Sequence, residues 1–266
     1  MKQNYFEPTW SSIKQHQTPN WFKKAKFGIY AHWGIYSVPA AGPNVTWYPY
    51  WMYRPPSPQF DYHCKHYGHP SKFGYKDFIP MFTAEKFNAE EWADLYYRSG
   101  AKFAGPVAEH HDGFPMWNCS DTEWCASKMG PKRDIVGELE KAIRNKGMKY
   151  MVAMHHAENW FFFPHWNNDF DTSKKEYESL YGELHNLDLI GNQAVYPDHW
   201  GRKNEHQDKP SKAFHDRWLN RLKEVVDNYK PDYVWFDFGI RFIHEKYKKD
   251  FPVSYTHLRA HETTSD

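Results

Sequence analysis

The chain carries 17 histidines, and the chemically suggestive ones sit where short apolar runs end. Glu109-His110-His111-Asp112 is the densest polar cluster. In an extended segment adjacent side chains point to opposite faces, so a regular strand cannot bring both histidines to one metal ion. A strand already turning into its loop would let both hydrogen-bond a single ligand. The same argument covers His155-His156, followed by Glu158. In the run 233–238, period-two alternation places Tyr233, Trp235 and Asp237 on one face. An aspartate ending an apolar strand beside a stacking ring suits a nucleophile, and equally suits the cap of a following helix. His32 shares a face with Tyr30 at the end of an earlier run, where a hydrogen-bonded core histidine is the alternative. His63, Cys64, His66 and His69 are metal-ligand types. No second spaced ligand set answers them, so no metal is expected there.

Four β-rich runs supply these ends, at 27–34, 102–111, 149–156 and 232–239. A helical pattern precedes each of the last three. Residues 88–99 start at the N-cap Asn88, carry acids in the first turn and stop at Gly100. Residues 134–146 present Ile135, Leu139, Ala142 and Ile143 on one face and stop at Gly147. A third helix is expected over 211–229, and a fourth pattern over 241–251. Helix, short turn and buried strand in repetition mark a parallel α/β sheet. The loops after the strands are the long ones and hold the polar and aromatic residues. That asymmetry favours a (β/α)8 TIM-like barrel, with its site at the C-terminal strand ends, over a doubly wound sheet. No GxGxxG or phosphate-binding loop follows a strand, so no cofactor is expected. Four strands make only about the first four βα units of such a barrel.

With 34 Lys+Arg against 33 Asp+Glu, the net charge of +1 leaves no basic footprint for nucleic acid. No apolar stretch approaches the roughly 20 residues of a membrane span, and no signal-peptide-like region follows Met1. The cytoplasm is therefore the default expectation, with a periplasmic or secreted location open. Three cysteines imply no disulfide framework. The 13 Trp, 19 Tyr and 19 Phe accompany a mean hydropathy of −0.91, as for rings that line polar-edged surfaces. The loop 44–53 is packed with such rings. Core packing is their default, yet its prolines and its place after a strand predict that some are exposed, beside His and Asp, as sugar binding requires.

Five segments in order, 21–34, 47–53, 82–87, 109–114 and 234–239, together resemble glycoside hydrolase family 29, the retaining α-L-fucosidases. The resemblance covers nearly all of 5–251. It implies that Asp237 is the nucleophile that forms a covalent fucosyl-enzyme. It also implies that His32, His110 and His111 bind fucose hydroxyls, and that Trp47 and Trp235 lie against the sugar. The substrate implied is a fucosylated oligosaccharide or glycoconjugate. Two positions depart from the family pattern. Thr46 stands where many members have Glu, and Phe238 stands where many have a small residue. The resemblance implies an acid/base carboxylate beyond the nucleophile. Glu109, Glu158 and Glu245 are available, but no motif places the acid on any of them.

From Val253 the sequence VSYTHLRAHET resembles a translated sequencing-library adapter. The expectation is therefore an N-terminal half-barrel over 1–252 and a non-native tail over 253–266, the chain as it stands being inactive. A fucose-binding, non-catalytic homologue is one alternative. A metal-dependent barrel hydrolase is the other, weakened by the lack of an H-x-H on the first strand.

Overall fold

A computed structural model describes residues 6–165, 167–185, 209–237 and 239–260. Four strands, β1 (Gly28–Ala31), β2 (Phe103–Glu109), β3 (Lys149–Met154) and β4 (Tyr233–Phe236), form one sheet in chain order. Every neighbouring pair is parallel. Five helices of some length flank or extend it. They are α1 (Pro58–His66), α2 (Ala89–Arg98), α3 (Ile135–Asn145), α4 (Lys212–Tyr229) and α5 (Glu245–Ala260). Consecutive parallel strands joined through α2, α3 and α4 are the arrangement that the α/β reading requires.

Local chemistry accounts for the helix bounds. Asn88 Oδ1 accepts from the amides of Glu90 and Glu91 at 3.0 and 3.3 Å. Asp134 accepts from the Gly137 amide at 2.9 Å, and Ser211 Oγ from the Phe214 amide at 2.9 Å. α3 buries Ile135, Val136, Leu139, Ala142 and Ile143, the face anticipated with Val136 added. β2 lies at the centre of the core, and its Gly105 is required by close strand approach. A Cβ there would lie 1.7 Å from the Met151 carbonyl oxygen.

The structure defines the 63–69 run and corrects the reading at two other places. Residues 63–66 of that run lie in α1, which extends to His66. Both ring nitrogens of His63 are engaged, Nδ1 with the Tyr48 hydroxyl at 2.9 Å and Nε2 with the Phe73 carbonyl at 2.8 Å. The ring-rich loop is mostly core: Tyr48, Tyr50 and Tyr53 are buried, and only Trp47 and Trp51 are half-open. Tyr48 packs edge-on against Phe78, which the linear sequence does not place beside it. Finally, the helical pattern of 241–251 begins at Glu245 and continues past Pro252 to Ala260. There the Tyr255 hydroxyl donates to the Pro231 carbonyl at 2.5 Å. The backbone thus shows no break at residue 252, and the division into 1–252 and 253–266 stands as a proposal about origin. The three cysteines are free.

Candidate active site

The site forms at the C-terminal ends of all four strands, and its key local feature is a bulge. Val107 of β2 faces Ala153 of β3, yet Glu109 faces the very next residue, Met154. One extra residue in β2 breaks the two-residue alternation and turns the strand end. The chain then reverses, with Glu109 bridging antiparallel to Pro115 and Gly113 at φ 75°. As a result the His110 and His111 rings approach each other, with centroids 4.4 Å apart, instead of pointing to opposite sides. Asn159 Nδ2 donates to the His111 carbonyl at 2.9 Å and holds this turn against the segment after β3.

Around that turn the other strand ends converge. His32, one residue beyond β1, has its ring centroid 5.5 Å from that of His110. His155, one residue beyond β3, lies 5.2 Å from His32, 5.1 Å from His110 and 5.1 Å from His111 by the same measure. Its amide donates to the Glu109 carbonyl at 2.9 Å. Asp237, one residue beyond β4, presents Oδ2 3.5 Å from His155 Nδ1 and 3.8 Å from His111 Nε2. Trp47 closes one side, its ring 5.1 Å from that of His111 and 5.3 Å from that of Phe162.

Of the six residues anticipated from sequence, five meet: His32, Trp47, His110, His111 and Asp237. Trp235 lies two residues before Asp237, opposite Ala153 in register, and is 42 % exposed. Phe238 lies outside the described residues. Two residues were not assigned from sequence. His155 was noticed only by type, paired with His156; the two in fact diverge. His156 turns away, with Nδ1 2.7 Å from Glu109 Oε1 and its ring stacked on Phe214. Tyr30 is the other. Burial, and then the charge of Asp237, raise its phenol above the ordinary value, so it stays protonated at neutral pH. Strand alternation with His32 was the signal for it.

The electrostatics suit hydroxyl recognition. Burial, then the neighbouring histidines, push His155 down to about 2 and His110 well below its ordinary value. A neutral imidazole offers one donor and one acceptor, which matches a sugar hydroxyl. His111 Nδ1 donates to the His155 carbonyl at 2.9 Å, and its Nε2 faces Asp237 Oδ2 at 3.8 Å.

The remaining acids have other work. Glu109 is fully buried, ion-paired to Arg221 of α4, with His156 Nδ1 2.7 Å from its Oε1. Burial opposes its ionisation, but the Arg221 charge, with His156 beside it, outweighs that and holds it below the usual carboxylate range. Asp112 accepts from the Tyr75 hydroxyl at 2.7 Å and the Phe114 amide at 3.2 Å, and burial raises it to about 7. Glu245 is exposed and accepts from Trp10 Nε1 and Lys248 Nζ, each at 2.9 Å. Glu158 is buried in the turn after β3.

Comparison with known proteins decides the family. The alpha-L-fucosidase family profile matches residues 1–264. The chain belongs to the α-L-fucosidase family. It is 36 % identical over 239 residues to the plasma alpha-L-fucosidase of Homo sapiens, covering 87 % of this chain and 42 % of the human protein. The alpha-L-fucosidase of Dictyostelium discoideum is 32 % identical over 244 residues, covering 89 % of this chain and 45 % of the other. Among solved structures, the Thermotoga maritima alpha-fucosidase in complex with fucose superposes with a TM-score of 0.73 at 34 % identity. That match covers 97 % of this chain and 55 % of the other. The chain therefore spans under half the length of these sequence relatives. Among the described residues, no helix is long and apolar enough to cross a membrane.

Proposed function

We propose that this chain is the nucleophile-bearing part of a retaining exo-α-L-fucosidase acting on terminal α-L-fucosyl units of glycans. In this reading Asp237 attacks the anomeric carbon as the aglycone oxygen leaves, giving a covalent fucosyl–aspartate that water then hydrolyses. His32, His110, His111 and His155 hold the sugar hydroxyls, and Trp47 and Trp235 pack against its apolar face. One observation carries the reading. A carboxylate at the end of β4 faces two buried imidazoles, at 3.5 and 3.8 Å, inside a ring-lined cleft of an α-L-fucosidase family chain.

Retention requires a second carboxyl group about 5–5.5 Å from the first, to protonate the leaving oxygen and then activate water. Among the described residues Glu109 and Glu245 are committed to ion pairs, and the acid/base stays unassigned. A second reading for the 266-residue chain by itself is fucose binding without turnover. Both readings are tested by incubating the chain with an aryl α-L-fucoside and with a 2-fluoro-fucosyl fluoride, followed by peptide mass spectrometry. A fucosyl adduct on Asp237 that Asp237→Ala abolishes is expected, with or without turnover. An adduct on another residue would sink the nucleophile assignment. Affinity for L-fucose without any adduct would select the binding-only reading.

A further inference from the structure

His32, His110 and His155 form a nearly equilateral triangle of rings, with centroid separations of 5.5, 5.2 and 5.1 Å. That spacing has a definite coordination meaning. Three imidazoles bound to one tetrahedral ion through nitrogens at about 2.05 Å place their ring centres about 5.2 Å apart. One nitrogen from each ring already lies within 4.8 Å of the other two. Modest rotation about the side-chain bonds then closes the set.

The donor atoms are suitable as well. Nδ1 of His110 and both ring nitrogens of His155 are buried and accept or donate no hydrogen bond among the described residues. His32 is exposed and completes the tripod from the solvent side. Each ring comes from the residue or position just beyond a different strand, β1, β2 and β3, so the sheet sets their spacing. Asp237 belongs to a second group, with His111 and His155, whose ligand atoms are also within 4.8 Å of one another. Three imidazoles with an open fourth position suit Zn2+ and its borderline neighbours Cu2+ and Ni2+, and not Mg2+ or Ca2+, which take oxygen ligands.

We propose that the cleft binds one divalent transition-metal ion through His32, His110 and His155, and that metal and saccharide exclude each other. The tripod rests on geometry alone; the mutual exclusion rests on the sugar reading of the same cleft. A metal ion there would draw off the nitrogens that otherwise meet hydroxyls. Zinc would thus act on this protein as an inhibitor of sugar binding, not as a catalytic ion.

The test is calorimetric titration of Zn2+ into the chelator-stripped full chain near neutral pH, with and without saturating L-fucose. One ion per chain is expected. His32→Ala, chosen because the residue is exposed and its loss burdens the fold least, should weaken Zn2+ at least about tenfold. His155→Asn should do the same, with circular dichroism checking that it folds. Co2+ in place of Zn2+ should show the intense visible absorption of a tetrahedral ion. L-fucose should weaken the apparent Zn2+ affinity in proportion to its own occupancy. No uptake at millimolar Zn2+, or equal affinity in the parent and both variants, overturns the metal site. Zinc bound through these residues by a chain with no affinity for L-fucose would uphold the site and defeat the sugar reading. Simultaneous binding of both would overturn the exclusion.

Discussion

Acidification is expected to unfold this chain near pH 5, because the fold keeps several imidazoles buried and uncharged. Burial is the leading cause in each case. It takes His155 to about 2, His165 to about 3 and His185 to about 4, and drives His110 well below the 6.5 of an unfolded chain. A histidine whose folded value is depressed contributes stability that is present above 6.5 and lost as pH falls toward the folded value. Between about pH 6.5 and 5 each such group costs roughly 1.5 units of 1.36 kcal/mol, or about 2 kcal/mol. This holds however far below 5 the folded value lies. His155, His165 and His185 together cost about 6 kcal/mol, and His110 adds to the loss in the same direction. Asp112 works in the opposite direction. Its folded value, raised to about 7 from 3.8, returns about 2 kcal/mol over the same interval, since the buried carboxyl is already protonated. The net loss of about 4 kcal/mol, before the His110 contribution, compares with a typical domain stability of 5–15 kcal/mol. Urea unfolding at pH steps from about 7.5 to 5, followed by tryptophan fluorescence, should show the midpoint falling steeply below pH 6.5. The ring NMR signals of His110, His155, His165 and His185 recorded on the folded chain should not titrate before it unfolds. A stability that is flat from pH 7.5 to 5, or a His155 ring that titrates near 6.5 in the folded chain, would refute the reasoning.

Three further outcomes follow from packing and charge. Arg221→Met strands the buried Glu109 beside Asp121 and should cost about 3–5 kcal/mol in urea unfolding, while Arg221→Met with Glu109→Gln should recover part of that loss. Gly105→Ala drives a methyl into the Met151 carbonyl and should prevent the β2–β3 ladder from forming, read as loss of soluble, cooperatively melting protein. Asp112→Asn removes the raised carboxyl, so the variant should gain on the parent by about 3 kcal/mol between pH 5 and 8; an unchanged gap would show that Asp112 titrates as an ordinary carboxylate.

The strands, the three helices between them and their caps were legible because they rest on local signals: alternation, N-cap oxygens and stop glycines. So was the convergence of His32, His110, His111 and Asp237, since residues at the same ends of parallel strands must meet. What escaped depends on distant partners or on counting. Glu109 looked available for chemistry, and only the fold brings Arg221 to it from α4. Tyr48 and Tyr50 sat in a loop for which core packing was the default and some exposure was expected, and only the fold brings Phe78 and Phe162 against them. His155 could not be told from His156 by type, because which of two neighbours faces the cleft depends on where the strand stops. α5 runs past Pro252 because a proline ends a helix only as a local tendency, which Tyr255 and Phe251 packing at the far side offsets.

The bulge in β2 has a consequence for how such a site can change. Ala108 is the surplus residue of that strand, with no counterpart across the ladder. Deleting one codon there would restore plain alternation, send one of the paired histidines toward the helices and empty half of the cleft, while every side chain of the site remained encoded. The specificity of this cleft is thus held partly in a count of backbone units. A lineage could abandon or regain it by the gain or loss of a single residue, without replacing any residue that lines the cleft.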